Sequence, residues 1–249
     1  MGVQLRGFVL ARRIHYRLGI FEGVHNTAAS AVTPAGAPAA NPSGKPMFGG
    51  HVRFNILGEE TGYAFNQMYL DGKTRSSVGF SVQVQKHGAC NVALGVAANT
   101  TTCNLTGPVG AAGTTAAAYR MFAGDAFLDV ALPGDMEFAV DFGIYRWDFG
   151  DNSPRTGVGW GGSVGFRIGP IEPVISGYQY IADDNATAGT ATGVSRANDR
   201  RKLAAGLTWY LKGHQSKISA EVNSIITGDV RGLVAPATNA IFIQTQAAF

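Results

Sequence analysis

Residues 135–148, DMEFAVDFGIYRWD, alternate from Glu137 to Tyr145 between apolar side chains and polar or small ones. Phe138, Val140, Phe142 and Ile144 fall on one side of an extended chain, and the intervening positions carry acidic, small or tyrosine side chains. A period of two is the spacing of side chains on one face of a β-strand. The stretch therefore predicts a strand with one apolar face and one polar face.

The same alternation recurs in the segments 76–85, 158–168 and 202–211. These segments run for about ten residues, whereas strands of soluble proteins usually have about five or six. About ten residues is the length with which a tilted strand crosses a bilayer. Charged residues make up only 15% of the chain, which also suits strands that face lipid on one side. The sequence therefore predicts an all-β protein that crosses a membrane as an antiparallel up-and-down β-barrel.

The connections between these segments alternate in length. Short turns are predicted at 11–13, 133–135, 169–170 and 213–215, long polar connections at 23–49, 87–116, 149–156, 183–199 and 228–238, and one connection of medium length at 58–74. Short turns at one end and long loops at the other are typical of outer-membrane barrels. The pattern predicts eleven strands: 2–10, 14–22, 49–58, 75–86, 117–132, 135–148, 156–168, 171–182, 200–212, 215–227 and 239–249.

The direction of these strands predicts that the barrel begins before Met1. The first strand leads into a short turn and the last follows a long loop, so both run the same way. Bacterial barrels have an even number of antiparallel strands, which makes the first and last run in opposite directions. Residues 1–21 also lack the apolar core and the cleavage site of a signal peptide. We therefore expect residues 1–249 to be one barrel domain that lacks its N-terminal strands and its signal peptide.

The last predicted strand, 239–249, ends on an aromatic residue. Ile241 and Ile243 share the face of Phe249, and the polar Gln244 takes the other face. An amphipathic final strand with a terminal aromatic resembles the recognition signal of outer-membrane proteins, so Phe249 is the candidate membrane-assembly signal. The alternative is an ordinary edge strand that ends in phenylalanine.

Charge and cysteine content restrict the classes of function. The formal net charge of +3 is too small to favour nucleic acid as a partner, and no apolar run is long enough for a transmembrane helix. Cys90 and Cys103 either form a disulfide that closes a loop or are two separate thiols. The five histidines fall in no catalytic or metal-binding motif, so we expect no enzyme, no cofactor and no metal site.

If the apolar faces meet lipid, the alternate positions face water and would line a pore. The basic candidates are Arg6, Arg17, Arg53, Arg167, Lys202 and Lys217, and the acidic candidates are Asp125, Asp129, Glu137 and Asp141, with Glu221 on a later strand. The bases fall on early and late strands and most acids on two middle strands, which predicts a field across the interior. The alternative is that these side chains are ordinary solvated charges on a surface that faces water.

Aromatic residues and one outlying charge predict the membrane boundaries. The candidates for girdles at the interfaces are Trp147, Trp160, Trp209, Tyr178 and Tyr180. Arg146 falls on the apolar side of its strand, next to Trp147, and is expected near the rim.

Short segments taken in chain order carry a family resemblance: GVQLRG at 2–7, IHYRLGIFEG at 14–23, RFNILG at 53–58 with GY at 62–63 and YL at 69–70, and LTWYLKGH at 207–214. Together they resemble the phosphate-selective porin O and P family. The resemblance implies a water-filled barrel of roughly sixteen strands, usually trimeric, of which this chain would supply the C-terminal portion. Because members of that family differ in what they pass, phosphate selectivity is not carried over with the resemblance.

The leading hypothesis is an outer-membrane porin of a Gram-negative bacterium, a passive channel for small hydrophilic solutes that include anions such as phosphate. Its expected partners are those solutes, outer-membrane lipid and lipopolysaccharide, and further copies of itself. The first alternative is a barrel that acts in surface binding or adhesion through its extracellular loops. The second is a soluble β-barrel that binds a ligand.

Overall fold

The structure, a computed structural model, describes residues 2–23, 45–59, 70–92, 114–150, 156–183, 199–212, 216–227 and 237–247. Its secondary structure consists of eleven strands: β1 (Gly2–Val9), β2 (Ile14–Phe21), β3 (Met47–Leu57), β4 (Arg75–Val92), β5 (Thr114–Leu132), β6 (Met136–Asp148), β7 (Gly157–Ile168), β8 (Ile171–Ala182), β9 (Arg200–Lys212), β10 (Ser216–Thr227) and β11 (Ala237–Ala247). In these ranges there is no helix that could carry the chain across a membrane.

The eleven strands form one antiparallel up-and-down sheet. Each strand pairs with its neighbour in the chain, in the order β1 to β11, so β1 and β11 stand at the two ends of the described sheet. The predicted all-β class and the eleven predicted strands are confirmed. The ladders are long: β6 and β7 pair continuously from Met136 opposite Ile168 to Trp147 opposite Gly157.

One predicted connection is shorter than expected, because β4 runs on to Val92 and β5 starts at Thr114. The register shifts between Gln85 and Ala89, and His87 within this shift has a φ of 58°. Such a bulge absorbs extra residues and lets the pairing resume beyond it. The small and polar residues of 88–92 hid this extension, since they show no apolar alternation.

The turn between β1 and β2 is held by the end of β3. Leu10, Ala11 and Arg12 all have positive φ, between 50° and 64°, a conformation that is uncommon for residues other than glycine. The Arg13 backbone N–H donates to Leu10 O at 3.0 Å, and Asn55 Nδ2 donates to Arg12 O at 2.7 Å. These hydrogen bonds stabilise the left-handed turn.

The sheet has an apolar face and a polar face, and their exposure is the reverse of that in a soluble protein. On β9 the apolar side chains of Leu203, Leu207 and Trp209 are at least half exposed, whereas Tyr210 on the opposite face is buried. On β6 Phe142 is 47% exposed, whereas Glu137 on the opposite face is 0% exposed. The described residues form a single sheet, so the polar side chains are buried by neighbours on their own face, as happens where a sheet curls towards that face.

Candidate functional site: the polar face of the sheet

The cross-strand register places all ten predicted pore-lining residues on the polar face. Glu137 pairs with Arg167 across β6 and β7, and Asp141 pairs with Ser163 on the same ladder. The other seven follow from the neighbouring ladders: Arg6 and Arg17 on β1 and β2, Arg53 on β3, Asp125 and Asp129 on β5, Lys202 on β9 and Lys217 on β10. Glu221, also on β10, shares this face. Sequence alternation thus assigned the face correctly, and the lining of a pore stays a prediction.

Several of these charges pair locally. Arg53 on β3 lies 3.5 Å from Asp125 on β5 and reaches it across Gly79 of β4, where an added Cβ would stand 2.1 Å from an Asp125 carboxylate oxygen. Lys202 Nζ lies 2.8 Å from Glu221 Oε1. Arg6 and Arg17 are direct neighbours in the β1–β2 register, which puts two basic side chains next to each other on the polar face.

An ionic network, formed by Asp135, Glu137, Arg167, Glu172 and Tyr210, lies at the short-turn end, and all of these residues except Asp135 are buried. Arg167 Nε donates to Glu137 Oε2 at 2.9 Å, Nη2 donates to Asp135 Oδ1 at 2.9 Å, and Nη1 donates to the carbonyl oxygen of Gly169 at 2.7 Å. The Tyr210 hydroxyl donates to Glu172 on β8. Glu137, Arg167 and Glu172 are all buried, so this network fixes the register of β6 to β9 with charged groups rather than apolar ones.

A further ion pair joins Arg75, the first residue of β4, to Asp71 in the connection before it. The Arg75 guanidinium donates to both carboxylate oxygens of Asp71, at 2.7 and 2.5 Å. These hydrogen bonds lower the pKa of Asp71 from its ordinary value. Asp71 therefore stays ionised at lower pH than a free aspartate, and it holds the connection against the start of β4.

A recess of about 510 Å³ opens on the polar face above β5 to β8. Its polar lining comes from Arg53, Asp125, Asp141, Tyr145, Ser163, Ser176 and Tyr178. Asp141 accepts two hydrogen bonds from Ser163, one from the backbone N–H at 3.0 Å and one from the hydroxyl at 2.6 Å. The recess therefore combines carboxylate, hydroxyl and guanidinium groups with aromatic rings.

Four aromatic residues of β6 and β8, Tyr145, Trp147, Tyr178 and Tyr180, form an aromatic patch on the polar face. Their ring centroids follow one another at 6.0 Å (Tyr178 to Tyr145), 4.4 Å (Tyr145 to Trp147) and 5.7 Å (Trp147 to Tyr180). The patch covers β7, whose polar-face positions here are glycines. A Cβ on Gly159 would stand 2.3 Å from the Tyr145 ring, so the glycine makes room for the ring.

The position of this patch shows that the prediction of aromatic girdles is wrong for three of its five residues. Trp147, Tyr178 and Tyr180 share the polar face, because they pair with glycines of β7 that belong to that face. Trp160 and Trp209 do lie on the apolar face, as the girdle prediction requires. For Tyr178 and Tyr180 the error came from Pro173 and Gly177, which blur the alternation of β8 in the sequence. Trp147 has the same phase on β6 as Glu137 and Asp141, so the alternation of that strand already put it on the polar face.

The fit between Tyr145 and Gly159 gives a stability prediction. Gly159→Ala is expected to lower the free energy of unfolding by about 1–3 kcal/mol, because the added methyl must displace a packed ring. Gly143→Ala is the matched control on the adjacent strand, where the added Cβ would meet only the Gly124 carbonyl oxygen, at 3.8 Å. Urea titration of both variants in detergent measures the difference, and equal losses would contradict the proposed fit.

A polar row crosses the apolar face near the long connections and consists of Arg120, Arg146, Gln179 and Arg201. Arg146, which the sequence placed near a rim, donates to both carboxylate oxygens of Asp183 at 2.6 and 2.5 Å. This row ends the apolar part of the face on β6 and β9, whereas on β8 the apolar Ile181 follows Gln179.

Other predicted features lie outside the described residues. Cys103 is one, so its pairing with Cys90 stays a prediction, and Phe249 is another. Sequence reasoning in turn missed Glu172 as a member of the ionic network, because the phase of β8 was unclear. It also left out His51, whose Nδ1 lies 2.7 Å from the Ser81 hydroxyl on the polar face.

Within the described ranges, no three His, Cys, Asp or Glu side chains come together as ligands for a metal ion. No family model and no curated protein matches this sequence. The function is therefore argued from the two faces of the sheet and from the contacts on the polar one.

Proposed function

We propose that this chain forms part of the wall of a bacterial outer-membrane β-barrel that acts as a passive channel for small hydrophilic solutes. The observation that carries the proposal is the reversed exposure of the two faces. Ile175 on the apolar face is 69% exposed and Ile243 is 75% exposed, whereas Glu137 and Asp129 on the polar face are fully buried. Exposure of this much apolar surface is unfavourable in water and favourable in a bilayer.

The extent of the apolar face fits a bilayer. On β6 it runs from Met136 to Ile144 and ends at Arg146, and on β9 it begins after Arg201 and runs from Leu203 to Leu211. Each stretch rises roughly 27 Å along its strand, which a tilt of about 40° reduces to roughly 20 Å. The apolar band of outer-membrane barrels is about 25 Å tall. The polar row then lies at the level of the lipid headgroups.

The contacts on the polar face support the proposal of a channel. It carries ion pairs between neighbouring strands and a wide recess, the features expected of a hydrated wall along which a solute exchanges its water for protein groups. The alternative of surface binding depends on the long connections, most of whose residues lie outside the described ranges.

The proposal is tested with the protein produced at full length, folded in detergent and added to a planar bilayer. We expect stepwise increases in conductance, because each inserted pore opens a water-filled path. Folded and heated samples should also differ in mobility on detergent gels. A bilayer that stays silent when the gel shows folded protein would contradict the channel.

Phosphate selectivity and a trimeric state, two finer properties of such a channel, have their own measurements. A phosphate-selective pore should show an anion-directed reversal potential in a salt gradient, and chloride current should fall when phosphate is added. A trimer should migrate as three copies on a native gel without heating. A cation-directed reversal potential would contradict phosphate selectivity but would not contradict the channel itself.

A further inference from the structure

We propose that the recess and the aromatic patch together form a binding subsite for neutral sugars, in particular short chains of hexoses. This inference rests on the proposed function, since it assigns a class of solute to the channel wall. Tyr145 and Tyr178 belong to both the patch and the lining of the recess, so the aromatic and polar groups face one shared space.

The patch offers the apolar part of such a site. The Tyr145 and Tyr178 rings lie within 19° of parallel, and both side chains are half-buried, which leaves part of each ring open. Trp147 extends this surface beyond Tyr145, and the buried Tyr180 supports Trp147 from β8. Sugar rings have flat C–H faces that pack on aromatic rings, so a run of rings can hold several sugar units in a row.

The recess offers the polar part. Sugar hydroxyls both donate and accept hydrogen bonds, and the lining supplies the carboxylate of Asp141, the hydroxyls of Ser163 and Ser176 and the guanidinium of Arg53. Ser163 and Ser176 are direct partners in the β7–β8 register, so the two hydroxyls stand side by side. The volume of about 510 Å³ is in the range of small-molecule sites.

The charges of the recess disfavour ions. An anion would meet the carboxylates of both Asp125 and Asp141, with the single guanidinium of Arg53 already 3.5 Å from Asp125. A cation would compete with that guanidinium and with the two hydrogen bonds that Ser163 gives Asp141. The Tyr145 and Tyr178 rings stack within 19° of parallel, so the two rings do not surround a point charge as the walls of an aromatic cage do. A neutral ligand with many hydroxyls fits these groups best.

The test measures binding of maltotriose and glucose to the full-length protein folded in detergent, by calorimetry, and blockage of single channels by the same sugars. Maltotriose is expected to bind more tightly than glucose, because more sugar units contact the patch. Tyr145→Ala is expected to weaken maltotriose binding about tenfold, since it removes a central ring. Tyr145→Phe keeps the ring and should bind nearly as the parent does, and Tyr178→Ala provides a second ring deletion should Tyr145→Ala fail to fold.

Tyr16→Ala is the matched control. Tyr16 is also a half-buried tyrosine packed over a glycine, Gly7, but it lies on the apolar face, so its removal should leave sugar binding unchanged. Folded channels that conduct but neither bind nor are blocked by maltotriose would overturn the sugar site and leave the channel intact. Equal weakening by Tyr16→Ala, or binding of inorganic phosphate or choline in place of sugar, would also overturn it. Sugar binding without conductance would instead contradict the channel and support the site.

Discussion

Ile175→Arg is expected to destabilise the folded, membrane-inserted protein by about 2–4 kcal/mol, whereas Val174→Arg is expected to change its stability by less than about 1 kcal/mol. Ile175 is 69% exposed in the middle of the apolar face, opposite Val164 and Ala205. In a bilayer its replacement puts a charge into hydrocarbon. Val174 faces the polar side between Gly165 and Gly206, two positions without side chains, and on the membrane proposal this side faces water. Urea titration in lipid vesicles, followed by tryptophan fluorescence, gives both values.

The stability losses of the two arginine variants, at the adjacent positions Val174 and Ile175, distinguish a membrane sheet from a soluble one. In water, an arginine at the exposed Ile175 would be harmless and an arginine at the half-buried Val174 would be the damaging change. The membrane proposal predicts the opposite order. The proposal would fail if Ile175→Arg folded as well as the parent while Val174→Arg did not.

Period-two alternation in the sequence predicted most of the strands, for a physical reason. Each strand has to present one face to each environment, so every second residue is constrained, and this constraint is visible in a single segment such as 136–148. It correctly placed Glu137 and Asp141 on the polar face. Alternation fails where residues suit either face, as at Pro173 and Gly177 of β8.

The contacts between strands could not be predicted, because they depend on register and not on local pattern. Arg53 reaches Asp125 only because Gly79 separates them on β4 and has no side chain. The Tyr145 ring is likewise accommodated by Gly159 on the next strand. A glycine in an alternating segment therefore indicates a close approach, but the side chain that fills the space comes from a different strand.

Glu137→Ala is expected to lower the free energy of unfolding by about 3–5 kcal/mol, the cost of breaking a buried ion pair. Glu137 is 0% exposed and Arg167 is 7% exposed, and their side chains meet at 2.9 Å. Without the carboxylate, Arg167 would keep the more exposed Asp135 as a partner, and the backbone N–H of Gly72, 3.3 Å from Glu137 Oε1, would lose its acceptor. Urea titration in detergent, read by tryptophan fluorescence and gel mobility, measures the loss.

Lys202→Met is the matched control, because it breaks a pair of nearly equal length, 2.8 Å, whose two side chains are each 38% exposed, and leaves Glu221 its hydrogen bond from Asn223. Water screens exposed pairs, so this change should cost less than about 1 kcal/mol. The double variant Glu137→Ala with Arg167→Met should regain part of the loss, since it also removes the buried guanidinium charge, which the exposed Asp135 compensates only in part. If the double variant were less stable than Glu137→Ala, Arg167 would be stabilising the turn end through Asp135 and Gly169 rather than through Glu137. If both single variants lost equal stability, burial would not be what gives the ionic network its strength.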